Sequence, residues 1–142
     1  MMRAIAAGAV YFLLVFALGF ALGTLRTLFV ADAPGKGRLL GVLIELPIML
    51  ITSWLICAAV IRRLRVPADA ASRLLMGGIA LLSLLLAEML VGVLLFDRTP
   101  AAHFALYREA SYALGLAAQI AFAAFPVIQG SRRQLPLQSN DK

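Results

Sequence analysis

The 142 residues are 63% hydrophobic and 14% charged, too apolar for a water-soluble domain, and this composition implies an integral membrane protein. A formal charge of +6 would suit nucleic acid, but the Lys and Arg residues sit mainly at the ends of apolar runs with no aromatic-rich basic face, so nucleic acid is excluded as a partner. One cysteine, Cys57, excludes an intrachain disulfide or thiol–disulfide relay; one histidine, His103, leaves too few ligands for zinc, haem or iron–sulfur, so no metal or cofactor is expected.

The chain opens with a basic start at Arg3 and an uncharged run over 4–25. This resembles a signal peptide with a small-residue Ala-Leu-Gly at 21–23, but the run exceeds a signal core and reads as a retained first transmembrane helix, continuing past Arg26 to about residue 30. Gly19 and Gly23 form a GxxxG, which lets a second backbone approach closely. Residues 31–37, ADAPGKG, predict a turn. The second span, 39–61, carries one charge, Glu45, and Pro47 two positions later, close enough to the helix start to bend it mildly without breaking it. Arg62, Arg63, Arg65 and the following VPADAAS make a short basic loop.

The third span, 74–96, is LLMGGIALLSLLLAEMLVGVLLF, 23 residues with the single charge Glu88. At 1.5 Å per residue it crosses the roughly 30 Å hydrocarbon layer. A carboxylate there costs about 2.5–3.5 kcal/mol on insertion scales, so Glu88 requires a partner, a water-filled cavity or a proton. Thr99 is the expected N-cap and Pro100 the first helical position of a short amphipathic segment, 100–109, lying in the interface. The fourth span, 110–129, is uncharged, and a polar tail, 131–142, follows.

These elements predict an all-α fold: one four-helix transmembrane bundle over 1–130 with short loops and a cytoplasmic tail. Orientation follows from the basic residues. With the N-terminus inside, Arg3, Arg62, Arg63, Arg65, Arg73, Arg132, Arg133 and Lys142 lie inside, eight against five outside (Arg26, Lys36, Arg38, Arg98 and Arg108). The excess favours both termini in the cytoplasm.

In that topology Glu45 lies about 9 Å and Glu88 about 12 Å below the outer surface, at depths similar to Arg26 and Arg108. Helical spacing gives each span one stripe joining small residues to its polar group: Gly19, Gly23 and Arg26; Gly41, Glu45 and Thr52; Gly77, Leu81, Leu84, Glu88 and Gly92; Arg108, Tyr112, Gly115, Gln119 and Phe122. Such stripes point inward. Arg26, Glu45, Glu88 and Arg108 are therefore expected to form an intramembrane charge cluster, with Tyr112, Gln119 and Thr52 as polar lining. As a structural clasp, the cluster would cost about 3–5 kcal/mol when one partner is removed. As a site, Glu88 would exchange protons or bind a cation. Gln119 reads as an interhelical hydrogen-bonding residue, Trp54 and Cys57 as packing or lipid-facing, Tyr107 and Tyr112 as an interfacial aromatic belt, and His103 as solvated.

The runs Gly8-Ala-Val-Tyr-Phe through Gly19-Phe-Ala-Leu-Gly-Thr-Leu-Arg26, then Glu45-Leu-Pro-Ile-Met49, Arg63-Leu-Arg-Val-Pro67 and Ala87-Glu88, resemble a family of small four-span proteobacterial inner-membrane proteins of uncharacterised activity. The resemblance implies a bacterial inner membrane and no particular mechanism. The leading reading is a non-catalytic bundle in the lipid bilayer, either a homo-oligomer or an accessory subunit of a larger membrane complex. The alternative is a small proton- or cation-coupled transporter or channel using Glu88 and Glu45. With no HExxH, no cysteine pair and no serine matched to a base, an enzyme is not expected.

Overall fold

A computed structural model describes residues 1–29 and 36–131, apart from the side chains of residues 26, 27, 29, 36–38 and 131. It is all-helical among these residues: α1 (Met2–Phe29), α2 (Lys36–Arg63), α3 (Ala70–Leu94), the short α4 (Pro100–Leu106) and α5 (Ala110–Ser131). α1, α2, α3 and α5 each contain a stretch long and apolar enough to cross a membrane, Met2–Leu25, Leu39–Arg63, Ala70–Leu94 and Ala110–Gly130. The predicted turn at 31–35 and the tail from 132 onward lie outside the described residues, and Lys36 already opens α2.

The ends of α3 and α4 are set by local chemistry. Asp69 caps α3, its carboxylate accepting the Ser72 backbone N–H at 2.7 Å. The helix therefore begins four residues before the apolar run that the sequence suggested. Thr99 caps α4 by accepting the Ala102 N–H at 3.2 Å, and Pro100 takes the first helical position, as expected.

α1 packs against α2 and α3, and α5 packs against the same two helices, so α2 and α3 occupy opposite corners although they are consecutive in sequence. The connection between them crosses the end of the fold that also holds the start of α1 and the end of α5, termed here the proximal end. Arg65 turns the chain with φ 49°. Arg73, only 2% exposed, then ties the crossing down, donating from Nε to the Pro67 carbonyl at 2.8 Å and from Nη2 to the Val66 carbonyl at 3.2 Å. Counting Arg73 as a topological charge missed this role.

Close helix contacts at the proximal end depend on glycine. A Cβ on Gly8 of α1 would lie 2.7 Å from the Met76 carbonyl of α3, and one on Gly77 would run into the Ala123 backbone of α5. Between them lies a core of Ala4, Ala7, Tyr11, Val15, Cys57, Val60, Met76, Ala80, Leu84 and Phe122. Both intrahelical prolines are accommodated without a break, Pro47 in α2 and Pro126 in α5. Pro126 has no N–H, which removes the usual partner of the Phe122 carbonyl one turn earlier. The Tyr11 hydroxyl supplies the replacement, donating to that carbonyl at 3.2 Å, while the two rings stack with centroids 4.3 Å apart.

The other half is packed differently. Among the described residues, α1 beyond Val15, α2 before Ser53 and α5 before Phe122 contribute no fully buried side chain. At this distal end the buried residues are Gly92 and His103.

Candidate functional site

The deepest polar contact between helices in the distal half joins α3 to α5. Gln119 donates from Nε2 to Glu88 Oε1 at 2.6 Å, a short charge-assisted or acid–amide distance. Gln119 thus bonds across helices as its position suggested, and of the stripe Gly77, Leu81, Leu84, Glu88 and Gly92 all but the half-buried Leu81 are buried or meet neighbouring helices. Gly77 meets Ala123, Leu84 is buried, Glu88 meets Gln119 and Gly92 meets His103. Gln119 Oε1 is buried and has no hydrogen-bond partner among the described residues.

α4 packs against α3 one turn beyond Glu88. His103 is 8% exposed and lies in a notch that Gly92 leaves open, where a Cβ would come within 2.7 Å of its Nδ1. The solvated position expected for this histidine is therefore replaced by a buried one, because the absence of a side chain at residue 92 admits the ring. Its Nδ1 is likewise buried without a partner among the described residues. Edge-on contacts to Phe104 and Tyr107, at 6.3 Å and 5.8 Å between ring centroids, hold it on α4. Burial pushes the Tyr107 hydroxyl above the ordinary phenol range.

The remaining predicted site residues are placed as follows. Glu45 is half-buried on α2, at the corner opposite α3. Gly19 of α1 packs at the level of Met49, since a Cβ there would lie 3.2 Å from Met49 Cε. Glu45 is thus one turn, about 6 Å, farther toward the distal end than Met49. Arg108 is exposed in the turn between α4 and α5 and forms no ion pair with Glu88. The Arg26 side chain is outside the described residues. Tyr112 is half-buried near the start of α5. Thr52 bonds back to the Ile48 carbonyl of its own helix at 2.7 Å, a local contact that takes its hydroxyl hydrogen away from any lining role. Among the described residues, a Cβ on Gly23, Gly78 or Gly115 would meet no atom within 4 Å.

Among the described residues, no three His, Cys, Asp or Glu side chains converge as metal ligands. Compared with known proteins, the chain matches no family model, no curated protein and no solved structure.

Proposed function

We propose that this is a non-catalytic, four-span protein of a bacterial inner membrane, with both termini cytoplasmic, that works by assembly with a second copy or as an accessory subunit of a larger membrane complex. The observation that carries this reading is the distal half. Among the described residues its membrane-length helices bury no side chain fully, yet it holds the Glu88–Gln119 contact within segments of membrane-crossing length. Polar groups at hydrocarbon depth are normally enclosed by protein. Enclosure by another chain would cover the partly exposed distal faces, and the open position at Gly115 gives a neighbouring backbone room to approach.

Mass spectrometry of the complex released from native membranes tests this. A stoichiometric second copy or partner is expected, lost or weakened in Gly115→Leu while thermal stability holds. A strict monomer across all lipid conditions would contradict the reading.

A second reading, proton- or cation-coupled transport through Glu88 and Glu45, is favoured by the unpartnered Gln119 acceptor beside Glu88. It requires a Glu88-dependent flux in liposomes, abolished in Glu88→Gln.

A further inference from the structure

The hydrogen-bond inventory around Glu88 is unbalanced in an informative way. Among the described residues the carboxyl group accepts one bond, from the neutral amide of Gln119. An ionised carboxylate offers about four acceptor sites and donates nothing. Gln119, meanwhile, has spent an N–H on Glu88 and is left with a buried carbonyl oxygen that needs a donor. That oxygen is bonded to the same carbon as the donating nitrogen, and when the N–H syn to it is the one that faces Glu88, a hydrogen on the second carboxyl oxygen is the donor within its reach. A carboxylic acid and a primary amide satisfy each other in this arrangement through a closed ring of two hydrogen bonds, N–H to C=O and O–H to O=C.

We propose that Glu88 and Gln119 form a proton-holding acid–amide pair, in which Glu88 carries a hydrogen and donates it to Gln119 Oε1 while accepting from Gln119 Nε2. The site is filled and emptied from the distal face alone. Toward the proximal end, the face of α3 below Glu88 is closed by Leu84, Ala80 and Met76, the last two with no exposed surface. Toward the distal end stands α4, whose His103 lies against Gly92, one turn beyond Glu88, with a buried Nδ1 that has no partner among the described residues; half-buried Tyr107 follows in the turn after α4. The proton comes from water at the distal face and returns to it, with no other bond made or broken. The titratable and charged groups on the distal elements beside the pair are His103 of α4, Tyr107 in the turn after it and Tyr112 of α5, then Asp97, Arg98, Arg108 and Glu109 at the rim. Glu45 of α2 lies at the opposite corner, and α1 carries no charged residue between Arg3 and Arg26. This inference rests on the distal contact and is independent of the assembly reading, since a proton-holding pair is compatible with a monomer or a complex.

A hydrophobic carbodiimide, which adds to protonated carboxyl groups within membranes, provides the test on the full-length protein in liposomes. Peptide mapping should find the adduct on Glu88. Labelling should be lost when pH is raised on the side bearing α4 and persist when it is raised on the side bearing the termini. The infrared carbonyl band of a protonated acid should vanish in Glu88→Gln and shift in Gln119→Met, where the acceptor is removed. Gln119→Glu, which keeps an acceptor oxygen, should retain labelling at Glu88. An unlabelled Glu88, an acid band unmoved in Gln119→Met, or labelling that follows pH on the terminal side would each overturn the proposal.

Discussion

The proximal and distal halves of this protein are built from the same four helices with opposite packing. In the proximal half, glycines at 8 and 77 bring helix backbones together, a stacked Tyr11–Phe122 pair fills the middle, and Arg73 ties the crossing loop to the start of α3. In the distal half, the side chains of α1, α2 and α5 remain partly exposed and the principal interhelical bond is polar, Glu88 with Gln119. The contrast separates two tasks. Stability is concentrated where small residues allow close approach, and the polar groups are left where packing is loose enough to admit another chain, water or a proton.

The largest effect is expected from forcing the proximal helices apart. Gly77→Val places branched carbon against the Ala123 backbone, which cannot swing aside as a side chain can. We expect a loss of about 3 kcal/mol, the upper part of the range for overpacking, read as thermal or denaturant unfolding in detergent. Tyr11→Phe comes next. It leaves the carbonyl freed by Pro126 unpaired and should cost about 2 kcal/mol. In a Pro126→Ala background the backbone N–H returns, and the same substitution should cost under about 1 kcal/mol. Equal costs in both backgrounds would show that the hydroxyl does not serve that carbonyl.

At the distal end the matching glycine should matter less. Gly92→Ala meets the imidazole of His103, which can move with α4, and a loss of about 1 kcal/mol is expected, accompanied by faster amide exchange in α4. A loss as large as that of Gly77→Val would erase the distinction between the halves.

The smallest effects are those of pH at the Asp69 cap of α3 and at Tyr107, which ends α4. The Ser72 N–H holds the exposed Asp69 carboxyl below the usual carboxylate range. The cap's contribution is therefore complete above the unfolded carboxylate value and fades as pH falls through the lower folded one. Tyr107 has the opposite sign. Its raised folded value means that its contribution is complete below the ordinary phenol value and is lost as pH rises through the folded one. Asp69→Asn should flatten the acid limb of the stability profile and Tyr107→Phe the alkaline limb.

Much of this architecture was legible in the residues. Bilayer thickness fixes the length of an apolar run, so four spans followed directly, and Thr99-Pro100 announced α4. Helical spacing gave an inward stripe of α3 through Gly77, Leu81, Leu84, Glu88 and Gly92, of which all but the half-buried Leu81 are seen against neighbouring helices or buried. Spacing gives the direction in which a side chain points around its own helix, not which helix it meets. That depends on α2 and α3 taking opposite corners, which no local pattern encodes. Glu88 therefore met Gln119 with Arg108 left exposed, and Tyr11 met Phe122, a pairing whose only sequence signal was Pro126 four residues farther on. The capping role of Asp69 was hidden inside a stretch that reads as loop, and His103 looked like surface because the notch that buries it is an absent side chain at residue 92.

Hydrogen–deuterium exchange of the protein in lipid nanodiscs compares the two halves most directly. Amides of residues 4–15, 53–61, 72–84 and 122–130 should exchange more slowly than those of 16–25, 39–52 and 110–119, with the difference narrowing when a partner chain is bound. Uniform protection along all four helices in the isolated chain, or slower exchange in the distal segments, would contradict the division on which the account is built.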